Sequence, residues 1–172
     1  MTKRIEKVSV SPICSLPSEM ILEILACVSA SSLNDLLRVK LSCKLFKKVA
    51  EEDYIYRKIS LEERFVTDLY LKKEASAFFN RCLESGNPEA FYQKGVYEYF
   101  TDHMRKQSGL ALLEKAVNAS HLGASYVLGI ILICSSDEFE QRGLELVGKI
   151  KTSGQMQECR KKSKAQQMVF YE

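Results

Sequence analysis

The sequence predicts an all-α fold, with an N-terminal three-helix unit followed by a short α-solenoid of antiparallel helix pairs. Three observations carry this. Only three prolines and eight glycines occur in 172 residues, too few breakers for a sandwich of many short strands. Residues 16–50 place their apolar side chains at helical spacing. Residues 90–116 repeat over 124–150 at an offset of 34 with no gap, a period that paired antiparallel helices produce.

The elements follow in order. Residues 1–13 carry no periodicity and read as a flexible lead-in. In LPSEMILEILACV, Pro17 suits the first turn of a helix, where its missing N–H removes nothing. Ile21, Leu22, Ile24, Leu25 and Val28 form a stripe wide enough to meet two partners rather than one. After the break at SASS, Ser32 is placed to cap a second helix and Asp35 to reach back in a capping box. Leu33, Leu36, Leu37 and Leu41 then recur along it. A third helix holds Cys43, Phe46, Val49 and Ala50 on one side and Lys44, Lys47 and Lys48 on the other. The unit, residues 14–60, is too small to be comfortable alone, so it calls for a neighbour or a partner.

In the second unit, residues 61–151, the repeat places Ala90 on Ala124, Tyr92 on Tyr126, Gly95 on Gly129, Gly109 on Gly143 and Leu112 on Leu146. The small residues mark places where helices approach closely. Helices are expected at 70–84, 88–100, 107–119, 122–134 and 139–150, with Gly86 and Asn87 as a stop signal and Pro88 in position to open the second of them. About two and a half repeats fall short of the three or so that a free-standing stack needs. The front unit is therefore expected to cap the stack, giving one continuous body. Residues 152–172 read as an irregular basic tail. Within it RKKSK, at 160–164, reads as solvated charge ahead of a nuclear-import signal.

Composition and motifs exclude several functions. A net charge of +3 is mild for a phosphate-binding domain. The basic run Arg38, Lys40, Lys44, Lys47 and Lys48 meets Glu51, Glu52 and Asp53 at once, so no nucleic acid is expected as a partner. Six cysteines without a CxxC pair and two histidines without neighbouring ligands leave no metal site. The longest apolar run, YVLGIILIC, has nine residues, about half of a bilayer span, so no membrane contact is expected. No secretory leader is visible, so the compartment is expected to be thiol-reducing, cytoplasmic and/or nuclear. Phosphate-loop, dinucleotide, zincin and esterase signatures are all absent. Cys43 beside Lys44 reads as a packed small residue rather than a nucleophile, because adjacent helical residues diverge and no histidine is placed as a base. The chain is expected to be no enzyme and to need no cofactor. His121 reads as a polar residue of an inter-helix turn. Tyr92, Tyr97, Tyr99 and Phe100 divide between core and a partner groove.

The order LPSEMILEIL, SLNDLL, LSCKLF resembles the F-box motif in Leu16, Pro17, Glu19, Ile24, Leu25, Asp35, Leu36, Cys43, Lys44 and Phe46, over about residues 14–56. It departs from the pattern in having SASS where a proline often follows the first helix, and Phe46 in place of tryptophan. The later segment ESGNPEAFYQKG…GLALLEKAVNASHLGASYVLGIILIC resembles Sel-type tetratricopeptide repeats, and the combination resembles plant F-box proteins carrying them. In relatives of that kind a further cysteine-containing region often follows a segment like Glu158-Cys159-Arg160, so the resemblance implies either a truncated or a divergent member. It also implies the mechanism: a three-helix F-box docks on a Skp-type adaptor and through it on a cullin–RING ubiquitin ligase, while the repeats present a target protein. The implied adaptor-binding residues are Leu16, Pro17, Glu19, Ile21, Leu22, Ile24, Leu25, Leu33, Leu36, Leu37, Cys43, Lys44 and Phe46. A repeat scaffold with a degenerate F-box, outside any ligase, is the alternative.

Overall fold

The computed structural model describes residues 12–61, 73–135 and 137–168, which are helical with no strand among them. The expected lead-in lies, up to residue 11, outside the described residues. So does the start, at 70–72, of the first expected repeat helix. The chain divides after Ile59 into two compact units.

The first unit opens with a 3-10 turn at Pro12–Ser15, followed by α1 (Ser18–Ser31), α2 (Leu33–Ser42), α3 (Lys44–Val49) and α4 (Asp53–Lys58). Pro17 stands one residue before α1 in an extended conformation, and its carbonyl accepts from the amides of Met20 and Ile21 at 3.1 and 3.2 Å. Ser32 caps α2, its Oγ accepting from the Asp35 amide at 3.2 Å. The Asp35 carboxylate turns forward to Arg38 at 3.2 Å instead of closing the capping box. The third expected helix is shorter than its stripe implied. Cys43 is extended, outside α3, and its Sγ accepts from the Phe46 amide at 3.4 Å.

A fourth helix follows the three expected ones. Its signal was present in EEDYIYRKI: acids at the start, bases at the end, and apolar residues one turn apart, a charge order that suits the helix dipole. Ile55, Tyr56 and Ile59 are buried with Ile21, Leu25, Leu36 and Val49. Tyr54 donates to Glu23 of α1 at 3.4 Å. Lys40 pairs with Glu51 at 2.6 Å, and Tyr56 donates to the same carboxylate at 2.8 Å. One lysine of the basic run is thereby committed to the fold.

The second unit comprises α5 (Lys73–Glu84), α6 (Pro88–Thr101), α7 (Lys106–Asn118), α8 (Leu122–Ser135), α9 (Asp137–Thr152) and α10 (Met156–Met168), with a 3-10 turn at His103–Arg105. It is built on the 34-residue period. In the first pair, α6 with α7, a Cβ added at Gly109 would lie 2.7 Å from the Tyr99 amide and 2.8 Å from the Gly95 carbonyl. In the second, α8 with α9, a Cβ at Gly143 would lie 2.7 Å from the Gly129 carbonyl and 3.0 Å from the Ile133 amide. Each member is its counterpart 34 residues on, so both pairs cross backbone to backbone at facing glycines. Ala90, Tyr92, Val96, Leu113, Ala116, Ala124 and Leu128 fill the core between the pairs.

The turns between pairs repeat with the same period. Gly86, Ser120 and Gly154 have positive φ values of 80, 63 and 74°. The next residue caps the following helix: Asn87 Oδ1 accepts from the Ala90 amide at 3.1 Å, and His121 Nδ1 from the Ala124 amide at 3.0 Å. Gln155 stands in the third such position before α10. The residues read as an irregular tail are thus, over Met156–Met168, a helix in register with the first helix of each pair, packed against α8 with Cys159 buried. Its period was hidden because Arg160, Ser163 and Lys164 stand where Tyr126, Gly129 and Ile130 stood. Only Ser120 meets the left-handed turn with a side chain, which costs roughly 1–2 kcal/mol. Ser120→Gly is expected to raise stability by about 1 kcal/mol, read as a higher melting temperature by circular dichroism.

Candidate functional site

The first unit's helices are too small to bury both of their apolar faces, and the residues divide accordingly. Ile21, Leu25 and Leu36 are each 2% exposed and fill the interior. All three were expected among the contact residues, and as core side chains they offer a partner little surface. Leu16, Leu22, Leu33, Cys43 and Phe46 are half-buried, while Pro17, Glu19 and Lys44 are exposed. Ile24 and Leu37 stand 41% and 44% exposed.

Two further residues belong with these and were not read as site residues. Met20 is 51% exposed, one turn before Ile24, and Leu41 is 87% exposed, one turn after Leu37. The signal for both was the width of the stripes: once one side of each helix is spent on the core, the remaining apolar positions must face outward. Cys27 is also exposed, at the next step of the Met20–Ile24 face of α1. Beside these residues a small apolar cavity of about 100 Å³ opens between Ile13, Ile24, Val28, Val39 and Phe46, with Ile21 and Leu25 behind. Phe46 therefore faces a gap in the unit rather than a filled core, with Cys43 fixing the turn that aims it.

In the second unit the exposed large apolar residues among those described are Phe100, Met104, Leu122, Ile130, Phe139 and Leu144. His121 occupies the expected inter-helix turn but has more contacts than a loop residue. With Nδ1 accepting from Ala124, its Nε2–H donates to Glu89 at 2.9 Å, and its ring lies 4.6 Å from that of Tyr92. Glu89 also accepts from Gln93 at 3.0 Å. This hub ties α6 to α8 and presents no open nucleophile. Burial pushes the Cys82 thiol up to about 12, and burial likewise raises Cys159, so both stay protonated and unreactive in neutral solution. Of the four aromatic groove candidates, Tyr92 is buried in the core, Tyr97 and Tyr99 are half-buried, and Phe100 stands at the surface edge-on to Tyr99. Among the described residues no group of three or more His, Cys, Asp or Glu is placed to hold a metal ion. No described helix is long and apolar enough to cross a membrane.

Two family profiles match the chain. The family described as plant tetratrico peptide repeats matches residues 62–167, and the F-box-like family matches residues 13–62. The chain is 36% identical over 136 residues to the putative F-box protein At1g67623 of Arabidopsis thaliana, covering 79% of this chain and 45% of that protein. It is 29% identical over 129 residues to the F-box protein At2g35280 of Arabidopsis thaliana, covering 74% and 77%. The F-box protein At1g67340 of the same organism matches at 28% over 119 residues, covering 68% and 31%. The chain thus spans less than half of the first and third of these relatives. No solved structure matches. The repeat match ends at 167, taking in α10 and leaving the expected boundary at 151 inside the repeats. An F-box of four short helices, followed by helix pairs on a 34-residue period, therefore makes this chain a member of the plant F-box proteins that carry tetratricopeptide-type repeats.

Proposed function

We propose that the first unit docks on a Skp-type adaptor, and that the chain serves as the substrate-recognition subunit of a Skp–cullin–F-box ubiquitin ligase, acting as an adaptor rather than an enzyme. The observation that carries this is the exposed apolar set Met20, Ile24, Leu37 and Leu41 beside the Phe46 cavity. Exposed apolar turns on a unit this small favour a partner that covers them. A specific interface buries roughly 1,200–2,000 Å² in total, and a few apolar anchors supply most of its energy. Leu16 and Pro17 immediately precede α1, Leu33 opens α2, and Glu19, Cys43 and Lys44 supply polar groups near the ends of these helices. The repeats present the target protein, and other subunits of the ligase carry out ubiquitin transfer.

The test is co-expression with a plant Skp-type adaptor followed by size-exclusion chromatography. The proposal expects a one-to-one complex. A chain that elutes alone beside free adaptor would overturn it and leave the repeats as an interaction scaffold outside any ligase.

A further inference from the structure

The second unit carries two depressions against α10, and their charges differ. The smaller, about 290 Å³, holds Glu89 and Glu158 together with His121 and Lys162. Its charges are matched internally, His121 on Glu89 at 2.9 Å and Lys162 on Glu158 at 3.2 Å. The larger, about 420 Å³, crosses α6, α8 and α10, within the range of ligand-binding clefts. Phe100, Tyr126 and Ile130 form its floor, with Arg160 and Lys164 along one side. Among the described residues no carboxylate lines it and neither cation is in an ion pair. Phe100 and Ile130 are 36% and 40% exposed, so the floor is open to a partner.

The repeat explains how this groove arises. Arg160 occupies the position of Tyr92 and Tyr126, and Lys164 that of Val96 and Ile130, each 34 residues on. The third step of the ladder thus replaces aromatic and aliphatic side chains with two cations one turn apart, beside an apolar floor supplied by the first two steps. Such a site complements carboxylates and one large apolar side chain together.

We propose that this groove binds an acidic, extended segment of a target protein, seating one large apolar side chain on Phe100, Tyr126 and Ile130 while flanking carboxylates meet Arg160 and Lys164. This deepens the reading of the repeats as the target-presenting half and rests on it. The observed charge pattern favours an acidic peptide over single-stranded nucleic acid, which would call for a longer basic track along its backbone.

The experiment is fluorescence anisotropy on the full chain without adaptor, so its outcome is independent of the F-box reading. The probe is a labelled peptide of about ten residues, one leucine among aspartates and glutamates, a length several times the span of one turn of α10. Its comparators are a copy with lysines for the acids, a copy with alanine for the leucine, and a labelled oligothymidylate. The leucine peptide is expected to bind, the lysine copy not to bind, and the alanine copy to bind about tenfold more weakly. Arg160→Glu with Lys164→Glu, checked for retained helicity, is expected to weaken the leucine peptide by at least about tenfold. The proposal is overturned by no binding of the acidic peptide, by equal binding of the lysine or alanine copy, by indifference to the double substitution, or by tighter binding of the oligothymidylate.

Discussion

Glutamate at both Ile24 and Leu37 is expected to abolish adaptor capture while leaving the fold nearly as stable as before. The two residues are 41% and 44% exposed, on neighbouring helices of the first unit. Substitution at such positions normally changes stability by about 0.5 kcal/mol or less. In a docked complex the same carboxylates would be desolvated against an apolar partner, and loss of two anchors costs about 4 kcal/mol or more, roughly a thousandfold in affinity. Isothermal titration of the purified chain with adaptor, beside thermal unfolding of the free chain, separates the two effects. Leu25→Ala gives the opposite pattern, since Leu25 is an interior residue: it is expected to destabilise the unit by about 2–5 kcal/mol. Phe46→Ala falls between. Half-buried beside the cavity, Phe46 is expected to lose about 2–4 kcal/mol of adaptor binding, and a loss below about 0.5 kcal/mol would remove it from the interface.

Alanine at both Gly109 and Gly143 is the second large effect. A Cβ at Gly109 would stand 2.7 and 2.8 Å from backbone atoms of the facing helix, and one at Gly143 would meet a carbonyl at 2.7 Å. A backbone atom does not swing aside as a side chain does, so the helices must separate. Overpacking of this kind costs about 1–3 kcal/mol per site, part of it offset by the higher helix propensity of alanine. The sites lie in different helix pairs and press on different neighbours, so the costs should add. The double variant is expected to lose about 2–5 kcal/mol, a large share of the stability of an ordinary domain. Gly148→Ala is the control: nothing lies within 4 Å of its added Cβ, and it sits inside α9. It is expected to gain about 0.5–1 kcal/mol. Urea unfolding of both variants beside the parent chain reads these differences.

The repeat was legible because it is written in residues that geometry constrains strictly. Gly95, Gly109 and their copies tolerate no side chain where two backbones touch, so they survive as a period. α10 was not legible because its sequence kept the turn and the cap position but lost the packing residues. Gly154 and Gln155 preserve the frame, whereas Arg160 and Lys164 replaced the tyrosine and isoleucine that made the period visible. The reading of the first unit placed three of its four helices but not the division of its apolar residues. Spacing shows that Ile21, Ile24 and Leu25 share a broad stripe, but which of them a neighbouring helix covers depends on α4, whose burial of Ile55 and Ile59 settles the matter. Cys43 was read as packed, yet it owes its place to capping, which only its extended backbone and the bond to Phe46 reveal.

The central claim is that the α1 and α2 faces carrying Met20, Ile24, Leu37 and Leu41 are the docking surface. Cys27 reports on it directly, being exposed on the Met20–Ile24 side of α1, while the exposed Cys134 of the second unit serves as an internal reference. Alkylation with iodoacetamide, read residue by residue by mass spectrometry, compares the chain alone with the chain saturated by adaptor. Cys27 is predicted to be labelled at least about tenfold more slowly in the complex, with Cys134 unchanged and the buried Cys82 unlabelled in both. Equal labelling of Cys27 in a proven complex would contradict the account, because the adaptor would then dock elsewhere on the chain.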